Sequence, residues 1–408
     1  MDMKVARRTE RTVGTTCAYW LAGRCNRNPC RFLHGETPVP VPSAPYYKAK
    51  NAYCYMKPNS SYEKIPRYKS RRVYVRNNDD GGDGTNVTVA SQSKSPSQSI
   101  CRYWMKDNCA HGDQCQNLHS WFYGDRLSKV ANLQEHEKVV TGIALPVGSD
   151  KLYSGSVDGT VRMWDCHSGR CADVINLGVE ITSFISESPW VFVGVRSAVR
   201  AWNIQTASEF TLNGPKGQVL AMIVGNDTLF AGAEDGVISA WRGSSEAISP
   251  FELIKSPSGH TKAVVCLTVG RNKLYSGSMD HSIMVWNLDT LECKMTLNGH
   301  TDIVTSLICW HNYLLSSSYD CTIKVWTATE EGTFEVTYTH SEENGVLALS
   351  GMTDAEDKNI LFCSCRDNSV HLYELPSFSE MGRIFAEKEV QSLEIGPGGL
   401  FFTGDTVC

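Results

Sequence analysis

Gly259-His260-Thr-Lys-Ala-Val264-Val-Cys-Leu-Thr-Val269-Gly-Arg-Asn-Lys-Leu274-Tyr-Ser-Gly-Ser278-Met-Asp280-His-Ser-Ile283-Met-Val-Trp286-Asn287 is the stretch on which the fold turns. It holds three short runs, Val264 to Val269, Leu274 to Ser278 and Ile283 to Asn287, separated by turn residues. Runs of this length, rich in β-branched and aromatic residues, read as strands, and no helical periodicity is sustained. The next forty residues repeat the pattern with Gly299-His300, Ser316-Ser-Ser318, Asp320 and Ile323-Lys-Val-Trp326. Working outward, an Asp stands six residues before an aromatic at Asp158/Trp164, Asp235/Trp241, Asp280/Trp286, Asp320/Trp326 and Asp367/Tyr373. Trp202 lies on the same ladder, with Arg196 in place of the Asp. Successive aromatics are 38, 39, 45, 40 and 47 residues apart, a period that marks a β-propeller. First strands are expected near Val139, Ile181, Val219, Val264, Val304, Val346 and Val390, which makes seven blades over residues 128–408.

The repeats resemble WD40 repeats. That resemblance implies a buried hydrogen-bond network of His, Asp and Trp in each blade, and His136, His260, His300 and His340 fit the histidine role. They are therefore expected to be structural, and the tryptophans to be blade core. The seventh blade is expected to be incomplete. It has strands at Val390 to Ile395 and Leu400 to Thr403 but no run of the Ile-x-Val-Trp type before Cys408. In this fold an N-terminal segment, here Lys129 to Gln134, normally pairs with that missing strand. The sequence thus reads as a truncated or alternatively spliced form, less stable than a chain one strand longer.

No catalysis is expected. The sequence has no Walker loop, Gly-x-Gly-x-x-Gly, Gly-x-Ser-x-Gly or His-Glu-x-x-His. Cys363, Cys365 and His371 read as strand packing, with a metal site as the alternative. The Trp-Asp-x-Arg signature of cullin-ligase receptors is missing after Trp164, Trp202, Trp286 and Trp326.

Six of the 16 cysteines fall elsewhere, in two matched runs. The first is Cys17-x7-Cys25-x4-Cys30-x3-His34 and the second Cys101-x7-Cys109-x5-Cys115-x3-His119. Three thiolates and one imidazole are a full tetrahedral set for Zn²⁺, so two structural zinc ions are expected, one per finger. Modules this small bury too little to fold alone, and metal binding must supply their stability. The spacing resembles the CCCH zinc-finger family, which implies single-stranded RNA stacked on exposed aromatics. The matching residues are Tyr19, Trp20, Arg24, Arg27, Arg31 and Phe32 in the first finger (15–36), and Arg102, Tyr103 and Trp104 in the second (100–121). Stacking plus positive charge suits unpaired bases. In each finger one ring must instead pack over the zinc. The second finger has Asn117 where the first has Phe32, and Asp107 and Asp113 offset Arg102 and Lys106.

The spacer 37–99 opens on Pro38, Pro40, Pro42 and Pro45, and Asp79 to Ser99 is polar and aperiodic, so both parts read as disordered, as does the basic tail 1–14. Between them Tyr46 to Arg76 holds nine Lys/Arg against one Glu, with seven of the 16 tyrosines. This segment suits RNA contact, or nuclear import through Lys69-Ser-Arg71-Arg72. The formal charge of −5 thus divides: residues 1–126 carry 20 Lys+Arg against 10 Asp+Glu, and the remainder 19 against 34. A basic end points to a polyanion, an acidic propeller to other partners.

There is no stretch of 18 apolar residues, and Met1 to Thr16 lacks the apolar run of a secretory signal. No membrane partner is expected, the thiols are read as reduced, and the sequon Asn86-Val-Thr88 as silent. The order finger, spacer, finger, propeller resembles the plant CCCH zinc-finger proteins with WD40 repeats. The resemblance implies a zinc-dependent nucleic-acid-binding adaptor, RNA favoured over DNA, whose propeller binds proteins. The nucleus is favoured and the cytoplasm is the alternative. A DNA-binding regulator and a protein scaffold remain as rival readings.

Overall fold

The computed structural model describes residues 99–405, apart from short stretches at 125–126, 128, 147–148, 244–249, 355–356 and 397–399. The tail, the first finger and the spacer up to residue 98 lie outside the described residues. Within them the regular structure is strand, joined by two single 3-10 turns at Trp104–Lys106 and Gly112–Gln114. The molecule is a β-propeller.

The fourth repeat shows how the local sequence builds the unit. Val264–Gly270, Lys273–Ser278, Ser282–Asn287 and Cys293–Asn298 form an antiparallel meander. Arg271 and Asn272 both take positive φ, 49° and 59°, the two-residue hairpin turn whose twist matches that of the flanking strands. The second strand is buried almost throughout, because neighbouring repeats cover both of its faces. At the other end Asp280 Oδ1 accepts the Ser282 backbone N–H at 3.0 Å. Asp158, Asp235, Asp320 and Asp367 hold their turns by the same two-residue bond. That shared bond explains the Asp ladder in the sequence.

First strands pack side by side around the axis. Val140–Ala144 lies against Ser183–Glu187 on one side and Val390–Gly396 on the other, so the ring closes. A hydroxyl or thiol of one repeat reaches the first carbonyl of the next. Thr141 donates to Ile181, Thr182 to Val219, Thr305 to Val346, Ser364 to Val390 and, at closure, Ser392 to Val140. The second-strand glycine serves the same junction: a Cβ on Gly277 would stand 2.7 Å from Val304 Cγ1, and one on Gly404 2.7 Å from Val140 Cγ1. Only glycine admits the neighbour's valine so closely.

Seven separate blades are not what the hydrogen bonding shows. The strands gather into five sheets of four or more strands and a sixth of two. The second and third repeats share one six-stranded sheet, because Glu209–Gly225 runs unbroken from the outer edge of one to the inner edge of the other. In the second repeat Trp190–Asn203 passes through Arg196-Ser197, with Ser197 at φ 63°, where the other repeats have an Asp turn. The last sheet holds Val390–Gly396 and Leu400–Asp405. Lys129 to Gln134 forms no strand there. The N-terminal strand is instead Phe122–Tyr123, which adds a fifth strand to the sixth repeat by pairing with Ser379–Phe385.

The expected networks are present in the first, fourth and fifth repeats. His300 Nδ1 meets Asp320 Oδ2 at 2.8 Å, Nε2 meets Ser316 Oγ at 2.7 Å, and Trp326 Nε1 donates to that Oγ at 2.8 Å. His136 with Asp158, Ser154 and Trp164, and His260 with Asp280, Ser276 and Trp286, repeat it. Burial depresses the His136 and His300 imidazoles below their ordinary value, outweighing the carboxylates beside them. Burial works to raise Asp158 and Asp280, but hydrogen bonds from Thr160 and Ser282 and their neighbours hold both near 2. A neutral ring therefore donates from Nδ1 to an ionised carboxylate, the serine hydroxyl donates to Nε2, and the indole donates to the serine.

His340 departs from expectation. It stacks on Phe378 at 5.1 Å and lies 3.5 Å from Glu342. The register explains why. His136, His260 and His300 stand four residues before Val140, Val264 and Val304, and the residue four before Val346 is Glu342.

Candidate zinc-finger site

The second finger is built by short-range turns. After Cys101 the chain makes the 3-10 turn Trp104–Lys106, which Asp107 ends in the left-handed region at φ 55°. The Trp104 N–H points at Cys101 Sγ, 3.4 Å away, the kind of backbone bond that stabilises a thiolate. A second turn, Gly112–Gln114, delivers Cys115, and Cys101 N–H donates to Leu118 O at 2.9 Å, bringing His119 back to the first cysteine.

Cys101, Cys109, Cys115 and His119 offer one ligand atom each, all within 4.8 Å of one another. Cys101 is buried and the other three are partly buried. Burial works to raise the Cys101 thiol, yet hydrogen bonds from the Trp104 backbone, His119, Cys109 and Cys115 bring it down to about 6. His119 Nε2 is buried and has no hydrogen-bond partner among the described residues. Three thiols and a partly buried imidazole within 4.8 Å of one another are the donor set of a closed zinc site, so these residues fit the ion the sequence implies.

The aromatic residues divide as their surroundings dictate. Trp104 stacks on His119 at 5.8 Å and 15°, and leans on Trp121 at 5.5 Å. It is the ring that packs over the metal ligands. Tyr103 is 71% exposed and Arg102 beside it is exposed, so these two face outward together. Asn117 Oδ1 accepts from Ser99 Oγ at 3.3 Å, so it closes the finger's own loop. The first finger's Cys17, Cys25, Cys30 and His34, with Tyr19, Trp20, Arg24, Arg27, Arg31 and Phe32, lie outside the described residues.

Trp121 has a role the sequence reading passed over. It supports Trp104, carries Lys129 Nζ 4.8 Å above its ring, and accepts the Phe385 N–H at 2.8 Å. Phe122 and Leu127 then pack against buried Ile384, Phe362 and their neighbours in the sixth repeat. The finger is thereby fastened to the propeller. The signal was present in the aromatic run Trp121-Phe-Tyr123 directly after the last ligand.

A family model described as WD domain, G-beta repeat matches residues 127–165, 251–287 and 291–327. These are the three repeats with the complete His–Asp–Ser–Trp network. Zinc finger CCCH domain-containing protein 17 of Oryza sativa subsp. japonica is 52% identical over 97% of this chain and 89% of its own length. Zinc finger CCCH domain-containing protein 48 of Arabidopsis thaliana is 52% identical over 95% and 88%. Among solved structures, the WD40 β-propeller domain of Doa1 covers 70% of this chain and 94% of its own, with a TM-score of 0.59 at 20% identity. That last likeness is one of fold.

Proposed function

This chain belongs to the zinc finger CCCH domain-containing proteins, and from that premise we propose a non-enzymatic adaptor that grips single-stranded RNA in preference to DNA and presents its propeller to protein partners. Both fingers hold structural zinc, and the protein works in the nucleus. The observation that carries the reading is Tyr103, 71% exposed next to Arg102, on a finger whose remaining ring is committed to its own core. An open aromatic face with a cation beside it suits an unpaired base, and nothing in the finger resembles a recognition helix for a major groove.

The test is a titration of the zinc-loaded full chain with single-stranded RNA, single-stranded DNA and duplex DNA at two salt concentrations. RNA should bind most tightly, with affinity falling as salt rises. Tyr103→Ala should weaken RNA binding roughly 5- to 150-fold, the range expected for one stacked base at about 1–3 kcal/mol. Preference for duplex DNA would favour the regulator reading, and no binding at all the scaffold reading.

A further inference from the structure

We propose that the sixth repeat holds a metal ion of the zinc class between Cys363, Cys365, His371 and Glu342. The proposal begins with position-by-position comparison. Where the first, fourth and fifth repeats place a buried histidine, the sixth has Glu342. The second-strand serines Ser154/Ser156, Ser276/Ser278 and Ser316/Ser318 correspond to Cys363/Cys365. The tryptophan is replaced by Tyr373. Two residues before that aromatic, where Arg162, Met284 and Lys324 stand elsewhere, the sixth repeat has His371.

For hydrogen bonding alone the exchange is a loss, because thiols are weak donors and acceptors compared with hydroxyls. For metal binding it is a gain, because a thiol joins an imidazole and a carboxylate, with a second thiol beside it, where three other repeats set an imidazole and a carboxylate beside serine hydroxyls. The side chains are sealed from solvent: Cys363 is 0% exposed, Cys365 1% and His371 4%. A carboxylate oxygen of Glu342, Cys365 Sγ and a ring nitrogen of His371 lie within 4.8 Å of one another. Cys363 Sγ is 3.7 Å from Cys365 Sγ. Two thiolates on a tetrahedral zinc, each at about 2.3 Å, stand about 3.8 Å apart. The thiol pair is therefore already at ligand spacing.

His371 supplies the independent observation. Its Nδ1 lies 3.0 Å from Glu342 Oε2 and 3.1 Å from the Tyr373 hydroxyl, while its buried Nε2 has no hydrogen bond and stands 3.8 Å from Asp367 Oδ2. Among the described residues that nitrogen is held only by the long ion pair with Asp367. The Tyr373 hydroxyl donates to Glu342 Oε1 at 2.7 Å, which would orient the carboxylate as a ligand from behind. Burial works to lower the His371 imidazole, but Asp367 and Glu342 raise it to about 10, so loading releases its imidazolium proton as well as the two thiol protons, and the ligands enter as thiolates, neutral imidazole and carboxylate. Mixed sulfur, nitrogen and oxygen donors favour Zn²⁺ over a hard cation. The rival is a metal-free network in which Glu342, His371 and Tyr373 satisfy one another.

The fingers also bind zinc, so the test removes them from the count. In the full chain carrying Cys25→Ser and Cys109→Ser, metal analysis by plasma mass spectrometry should find one zinc equivalent retained. Adding Cys365→Ser, or His371→Gln if the former does not fold, should bring the count to none. Loss of all zinc in the double variant, or retention of the equivalent after the third substitution, overturns the proposal.

Discussion

Ser316 Oγ stands between two nitrogens, 2.7 Å from His300 Nε2 and 2.8 Å from Trp326 Nε1, and it is fully buried. Ser316→Ala leaves a buried indole N–H without an acceptor, and should lower unfolding free energy by about 1–3 kcal/mol in urea titrations. The pH dependence of that network has a definite sign. His136 and His300 have folded-state values below their ordinary 6.5, so the unfolded chain binds protons first and stability falls as pH drops through and below 6.5. Asp158 and Asp280 have values near 2 against an ordinary 3.8, so their contribution is complete above 3.8 and is lost as pH falls through about 2. Melting temperature should therefore decline in two steps on acidification. A single step at the carboxylate range would mean that the imidazoles are charged in the fold. The histidine assignments themselves show what one sequence can and cannot yield. The three rings with a matched Asp and Ser were legible through the resemblance to WD40 repeats. His340 was misassigned because it stands six residues before Val346, whereas His136, His260 and His300 each stand four before the first-strand valine.

At the scale of the element, most strands were legible because each is bounded by its own turn: the Asp ladder and the hairpin residues act within a few positions. Two features lacked such local marks. Arg196-Ser197 makes its hairpin without an Asp, so the second and third strands of the second repeat run on as Trp190–Asn203. Phe122–Tyr123 is a two-residue strand whose partner is Ser379–Phe385, and no periodicity can show in two residues. Its approach depends on Gly382, where a Cβ would run into the Tyr123 carbonyl oxygen. Gly382→Val should release this strand from the sixth repeat. Limited proteolysis should then cut faster around Phe122 and Tyr123, with the propeller's own melting nearly unchanged. Unaltered cleavage would show that side-chain packing of Phe122 and Leu127 holds the finger without the ladder.

For the whole molecule, the ring creates surroundings that no single repeat contains. First strands of the first, second, third and seventh repeats line an open central cavity of about 420 Å³, Thr141, Glu187, Ser392 and Glu394 among its walls. Burial there pushes the Glu394 carboxyl up to about 7, against the single backbone hydrogen bond from Leu145 that works to lower it. Its sign is opposite to that of the aspartates: the folded-state value exceeds the ordinary 4.5, so this group favours folding at low pH and costs stability as pH rises through about 7. Glu394→Gln should raise stability at pH 8, by on the order of 3 kcal/mol, and change little at pH 4. An equal effect at both pH values would exclude a raised carboxyl. The pairing of Phe122–Tyr123 with Ser379–Phe385 also sets a schedule for synthesis. At roughly 5–20 residues per second, a ribosome delivers the receiving strand some tens of seconds after the second finger has emerged. The other strands find their ladder partners within a hairpin's length. The zinc-bound finger must therefore stay soluble on the nascent chain with Phe122 uncovered, and its docking reports that the sixth repeat has been completed.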